Sequence, residues 1–251
     1  MLSPKKFRPP QKSGYRGNRN SLLVGCETCG SLRILQYQQA YSLEMTNFPS
    51  QIQSMNYERL IAIGYSAGGM EPLLSFFDNT VPSGATYFIL NHMPIDSPSQ
   101  LKEILIRHSS LEIIMARSNL TIGKNRVYLT PSHMHMSVQF GKLRLEKRVR
   151  SQTGPNYAFS IFLNSLIEGE NRHVVAIFLS GAGSDGARSL AGIKSLGGIV
   201  LAQDPATCEF PFMPTNAIET GHVDRILHAS DMPAFIRRLS GQSHADGPNG
   251  G

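Results

Sequence analysis

The stretch Ile61 to Phe77, IAIGYSAGGMEPLLSFF, sets Ser66 inside a G-x-S-x-G pattern, with an apolar run before it and an amphipathic one after it. On a strand-to-helix turn this spacing pushes a serine hydroxyl out beyond the tip of a sheet. Glycine-rich turns of this kind also cradle phosphates. A dinucleotide loop fits less well, because G-x-G-x-x-G is absent and the next apolar run ends in Asn91 and His92, not in an acid. A serine becomes a nucleophile when a base takes its proton, and an imidazole does so best when a carboxylate fixes its tautomer. His92 in NHMP and Asp185 in SGAGSDGA supply those two residue types. Asp185 has a competing role as the N-cap of the segment that follows, a task Ser184 could perform instead. His133 and His135 share a face of an extended HMHM, yet no further ligands accompany them. Neither a metal nor a cofactor is expected.

These residues need a scaffold that brings them to one place. From Arg59 onward apolar runs alternate with amphipathic segments, the pattern of parallel strands joined by crossover helices in an α/β fold. Strands are expected at 60–64, 85–90, 112–116, 126–130, 173–180 and 198–203. Helices are expected at 69–78, 98–108, 157–168, 184–196, 214–220 and 231–239. Gly141 turns an antiparallel hairpin, HMSVQF into KLRLEK, whose alternation suits a half-exposed pair. In an open, mainly parallel, doubly wound sheet the carboxyl ends of the strands form the ligand-binding rim. Ser66, His92 and Asp185 each follow a strand in this way and so converge on it.

The chain has 251 residues, 41% of them hydrophobic, enough for one α/β domain with a substantial core. Residues 1–56 carry seven Lys or Arg and two acids, a net charge of +5 out of +6 for the whole chain. That basic, Pro/Gly/Asn-rich opening lacks apolar periodicity and reads as a disordered arm; charge alone does not make nucleic acid a partner. The domain is expected over 57–240, with a Gly-rich tail at 241–251. Three cysteines, Cys26, Cys29 and Cys208, are too few and too odd in number for a disulfide framework, which points to a reducing compartment. Cys26 and Cys29 form a lone C-x-x-C with no second ligand pair. No apolar run approaches the roughly 20 residues of a membrane helix, and the polar stretch before Leu22–Cys26 does not make a signal peptide. The expected location is the cytoplasm.

The span from about Leu60 to Arg237 resembles the catalytic domain of the CheB-type chemotaxis protein-glutamate methylesterases. The resemblance rests on GYSAGGMEPL, NHMP, RVYLTPSHMHM, LSGAGSDGA, GGIVLAQDPATCEF, and MPTNAI followed by TGHV. SAGG and SGAGSDG are most similar to forms fused to methyltransferase domains. It implies a three-layer α/β/α domain, a Ser66, His92, Asp185 triad, and oxyanion donors at the backbone N–H groups of Ala67 and Ala182. It also implies hydrolysis of glutamyl methyl esters on the cytoplasmic helices of chemoreceptors, with deamidation of receptor glutamines in some members. Residues 1–56 do not suit the receiver domain of full-length members, so phosphorylation control is expected either from a separate receiver or methyltransferase protein or not at all. Two departures concern docking. The segment GPNYAFSIFLNSL lacks the family's Arg-Pro and has Ser160 near its acidic position, and Phe212 precedes Met213-Pro214 where many members have glycine. A catalytically weak scaffold that binds receptors or signalling partners is the alternative reading.

Overall fold

The computed structural model describes residues 59–91, 100–148 and 157–241. The basic arm with Cys26 and Cys29, and also His92 and Asn156, lie outside the described residues. Seven parallel strands form one sheet: β1 (Leu60–Tyr65), β2 (Thr86–Asn91), β3 (Glu112–Met115), β4 (Arg126–Leu129), β7 (Val174–Phe178), β8 (Ile199–Gln203) and β9 (Arg225–Leu227), in the order β3-β4-β2-β1-β7-β8-β9. The antiparallel hairpin of β5 (Met134–Gln139) and β6 (Lys142–Lys147) forms a second, two-stranded sheet. Six of the seven parallel strands lie where the apolar runs predicted them. β9 was not foreseen, because three residues with two of them exposed carry no alternation to read.

Every residue of β1 is buried, as expected for a central parallel strand covered on both faces. Its side chains alternate between two cores. Leu60 and Ala62 join Phe88, Tyr128, Ala176 and Phe178 on one face. That face is covered by α3 (Ala158–Glu168), α4 (Leu190–Ser195), α5 (Phe212–Glu219) and the hairpin. Ile61, Ile63 and Tyr65 join Tyr87, Ile89 and Ile177 on the other, beneath α1 (Met70–Asp78), α2 (Leu101–His108) and α6 (Met232–Gly241). This is the three-layer arrangement. The 184–196 segment departs from the single helix expected of it. Residues 184–186 form a turn, Gly186 has φ +86°, and a 3-10 turn at Ala187–Ser189 precedes α4.

The strand order fixes where a ligand can bind. β1 and β7 are hydrogen-bonded neighbours, yet the chain leaves β1 through α1 on one face and reaches α4 on the other after β7. A crevice therefore opens between their carboxyl ends, at the topological switch point. Close approach of α3 to that crevice depends on missing side chains. A Cβ on Gly64 would lie 2.3 Å from the Phe159 ring, and one on Gly186 would lie 2.6 Å from it. Phe159 is fully buried and also packs against Phe178, the tilted rings 4.9 Å apart between centroids.

Gly64→Ala is expected to destabilise the protein by about 1–3 kcal/mol through overpacking, and Phe159→Ala by about 3–5 kcal/mol through cavity formation. In urea unfolding the double variant should lose less than the two losses added, because truncating Phe159 vacates the space the new methyl requires. Additive losses would show that ring and glycine do not meet.

Candidate active site

Ser66 stands directly after β1 and is half-buried, with Ala67 beyond it exposed. Its N–H donates to the Ser180 carbonyl at 3.0 Å, and its own carbonyl accepts from Gly69 N–H at 3.1 Å, so the turn is pinned to the end of β7. Gly68 has φ +66°, and a Cβ there would meet the Glu209 side chain at 2.7 Å. Ser180, buried at 0% exposure, organises the neighbourhood. Its N–H donates to Gln203 Oε1 at 2.9 Å, its hydroxyl donates to the Ala67 carbonyl at 3.1 Å and accepts from Phe210 N–H at 3.1 Å. Gly181 N–H donates to the Phe210 carbonyl at 2.9 Å, and Gly181 lies so close to the serine that a Cβ would come within 3.0 Å of Ser66 Cβ. Ala67 and Ala182 are exposed beside this crowded turn, and their N–H groups have no acceptor among the described residues.

Asp185 is 7% exposed. It does not cap the segment that follows it. Its Oδ2 accepts from Phe159 N–H at 2.8 Å, and its Oδ1 accepts from Ser160 N–H at 2.9 Å and from the Ser160 hydroxyl. The Ser160 hydroxyl oxygen accepts in turn from Gly186 N–H at 2.9 Å. Asp185 thus satisfies the N-terminal donors of α3, whose own N-cap position, Tyr157, provides no side-chain cap. The partial positive charge of the helix end favours the ionised carboxylate. A carboxylate accepts from about four donors, so one group can serve a helix end and an imidazole together. Ser160 and Phe159 were not foreseen as site residues. The only signal was the motif departure at Ser160, read there as lost docking, whereas the structure makes that hydroxyl an anchor for Asp185.

The described register ends with Tyr65 opposite Asn91, the residues immediately before Ser66 and His92. Asn91 Nδ2 donates to the Tyr65 hydroxyl at 3.3 Å, and burial pushes the Tyr65 phenol up to about 12, so at neutral pH it is a neutral anchor and not a base. Burial also raises the Cys208 thiol to about 11, with Asp204 adding to the shift, which leaves it a poor nucleophile. His135 on β5 is held below its ordinary value, first by burial and then by Arg148, with Glu146 and Asp185 opposing. Its Nδ1 is buried and has no hydrogen-bond partner. Among the described residues no three His, Cys, Asp or Glu gather as a metal site would require.

Comparison with known proteins decides the family: the CheB methylesterase model matches residues 61–236. The chain belongs to the CheB methylesterase family. It is 32% identical over 185 residues to protein-glutamate methylesterase/protein-glutamine glutaminase 2 of Pseudomonas aeruginosa, covering 72% of this chain and 53% of that protein. It is 30% identical over 192 residues to a putative protein-glutamate methylesterase/protein-glutamine glutaminase of Leptospira interrogans, covering 74% of this chain and 96% of that one. The chain therefore spans about half the length of the first relative and nearly all of the second. The CheB methylesterase catalytic domain of Thermotoga maritima has the same fold, with a TM-score of 0.65 and 28% identity over 72% of this chain and 98% of that one. The CheB-type domain expected from the motifs is thus the domain found.

In this CheB-type domain, Ser160→Ala removes a hydrogen bond to a charged group and should cost about 1.5–3 kcal/mol in urea unfolding. Ser160→Asp sets a second carboxylate against Asp185, which raises one of the pair's folded pKa values above the unfolded carboxylate value of about 4. Stability is then present at low pH and lost as pH rises from the unfolded value toward the raised folded one, so the gap from wild type should widen as pH rises from about 4. A gap that stays constant would mean the two side chains do not meet.

His135 gives the opposite sign. Its folded pKa is depressed, so its contribution is present above the unfolded value of 6.5 and is lost as pH falls below it. His135→Gln should flatten that part of the stability-pH curve, and an unchanged slope would assign it to other groups.

Proposed function

We propose that the chain is a serine hydrolase that removes methyl esters from glutamate side chains of chemoreceptors, with glutamine deamidation as the related reaction. The observation that carries this reading is that the Ser66 turn, hydrogen-bonded to Ser180, and the Asp185 turn, hydrogen-bonded to the start of α3, both follow the carboxyl ends of the adjacent strands β1 and β7. The Ser66 hydroxyl attacks the ester carbonyl while His92 accepts its proton and Asp185 orients the imidazole. The tetrahedral oxyanion is stabilised by Ala67 and Ala182 N–H groups, a role their exposure and lack of an acceptor suit. His92 then returns the proton to the departing methoxide, methanol leaves, and water attacks the acyl-serine by the same route to give glutamate. With an amide in place of the ester, ammonia departs instead.

The names of the Pseudomonas and Leptospira relatives support both reactions. Among the described residues no helix is long and apolar enough to cross a membrane. The reading sets the protein in the cytoplasm, acting on receptor helices there, under the control of a separate receiver or methyltransferase protein. A catalytically weak scaffold of the same fold is the competing reading, and activity measurements distinguish the two.

Methanol release from methyl-labelled receptor fragments should vanish in Ser66→Ala and in His92→Ala, with the double variant no worse than either, since the members act as a unit. Asp185→Asn should lower turnover by on the order of 10³ to 10⁴ through loss of the correct imidazole tautomer. Unfolding should be followed in parallel, because that variant also weakens the start of α3. Undiminished turnover by folded Ser66→Ala would remove the triad, and absent turnover by the wild-type protein would leave the scaffold.

A further inference from the structure

Beside the Asp185 turn lies a cavity of about 310 Å³ lined by Tyr157, Ser160, Asn164, Ser184, Arg188 and Ser189. The proposed chemistry uses only one of these, Ser160, which forms the wall shared with Asp185. The lining carries one guanidinium and no carboxylate. Arg188 is exposed and has neither an ion pair nor a hydrogen bond among the described residues. Ser189, 6% exposed, donates its hydroxyl to Asn164 Oδ1 at 2.7 Å, which leaves the two amide N–H donors of Asn164 without a partner among the described residues. Tyr157 and Ser184, both exposed, add two hydroxyls. Asp185, bonded to the lining residue Ser160, is buried and already matched to the donors of α3. The cavity is thus rich in donors and holds an uncompensated positive charge.

We propose that this cavity is a specificity subsite that takes an unesterified acidic side chain of the substrate protein, through Arg188. The inference rests on the function proposed above and names a feature of its substrate. A planar guanidinium and a carboxylate form paired, charge-assisted hydrogen bonds, and Asn164 or Ser184 adds a further donor. On a helical substrate, residues three or four apart share a face. When one glutamyl ester occupies the Ser66 turn, a free Glu one or two turns away can reach a site on the same rim. A product glutamate would serve as well as an original one, so hydrolysis at one position would favour hydrolysis at its neighbour.

The test uses helical peptides with one glutamyl methyl ester and either Glu or Gln three, four or seven residues from it. With the full chain, the better Glu peptide should exceed its Gln counterpart in kcat/KM by about tenfold or more. Arg188→Gln should bring that ratio close to one, and Arg188→Lys should leave it intermediate. The same ratios read as binding affinities by fluorescence anisotropy in the Ser66→Ala background test the subsite without turnover, so its failure is separable from failure of the hydrolase reading. Ester hydrolysis that depends on Ser66 but is indifferent to Glu or Gln overturns the subsite alone. A Glu preference that survives in Arg188→Gln overturns the residue assignment. Inorganic phosphate competing equally with the Glu and Gln peptides overturns a side-chain carboxylate as the ligand.

Discussion

The Phe159 ring lies where two side chains are missing, against Gly64 on β1 and Gly186 after β7. Neither glycine can carry even a methyl group without driving into the ring, so the G-x-S-x-G spacing around Ser66 is here as much a packing requirement as a turn requirement. The ring buries the start of α3 in the crevice, and the backbone N–H of the same residue binds Asp185. One side chain thereby sets the separation between the serine turn and the aspartate turn. The triad proposed above would tolerate little error in that separation.

The helix end favours the ionised form of Asp185 as well as fixing its place. A buried carboxylate is costly unless donors surround it. Two backbone N–H groups and a hydroxyl surround this one, at the end of a helix whose dipole favours negative charge. A carboxylate so held stays an acceptor, which is the condition for orienting an imidazole and stabilising the imidazolium. Ser160 completes a closed circuit, donating to Asp185 while accepting from Gly186 N–H. An acid at position 160 would break that circuit, which is why the serine here is not a simple loss of a family carboxylate.

The positions of Ser66 and Asp185 were legible in the sequence because they follow from strand ends, and strand ends follow from short apolar runs bounded by glycines. The three-layer fold was legible for the same reason. The partners of Asp185 were not. Ser160 and Asp185 are 25 residues apart, in segments each of which reads locally as a plain helix start. Only packing brings the start of one against the turn before the other. Gly186 shows the limit from the other side: SDGARSL reads as one helical stretch, yet a residue at φ +86° cannot continue a helix, and the turn it makes is what aims Asp185 away from its own chain direction. Ser180 and Gln203 were silent for a related reason, since a buried serine at the end of an apolar run looks like any strand terminus until its hydrogen bonds are seen.

The two halves of the rim are built to different standards. Around Ser66, Ser180 and Gly181 the backbone is locked by reciprocal hydrogen bonds and by glycines with no spare room, so its geometry is set before any ligand arrives, as the proposed oxyanion role requires. Around Tyr157, Ser184 and Arg188 the side chains are exposed, and the guanidinium is held by no partner among the described residues. Ser160 belongs to both regions, anchoring Asp185 with its hydroxyl while forming one wall of the cavity. Under the proposed subsite, binding energy gathered in the cavity would act on a wall that is hydrogen-bonded directly to the carboxylate proposed to orient the base, which gives remote recognition a physical route to the chemical step.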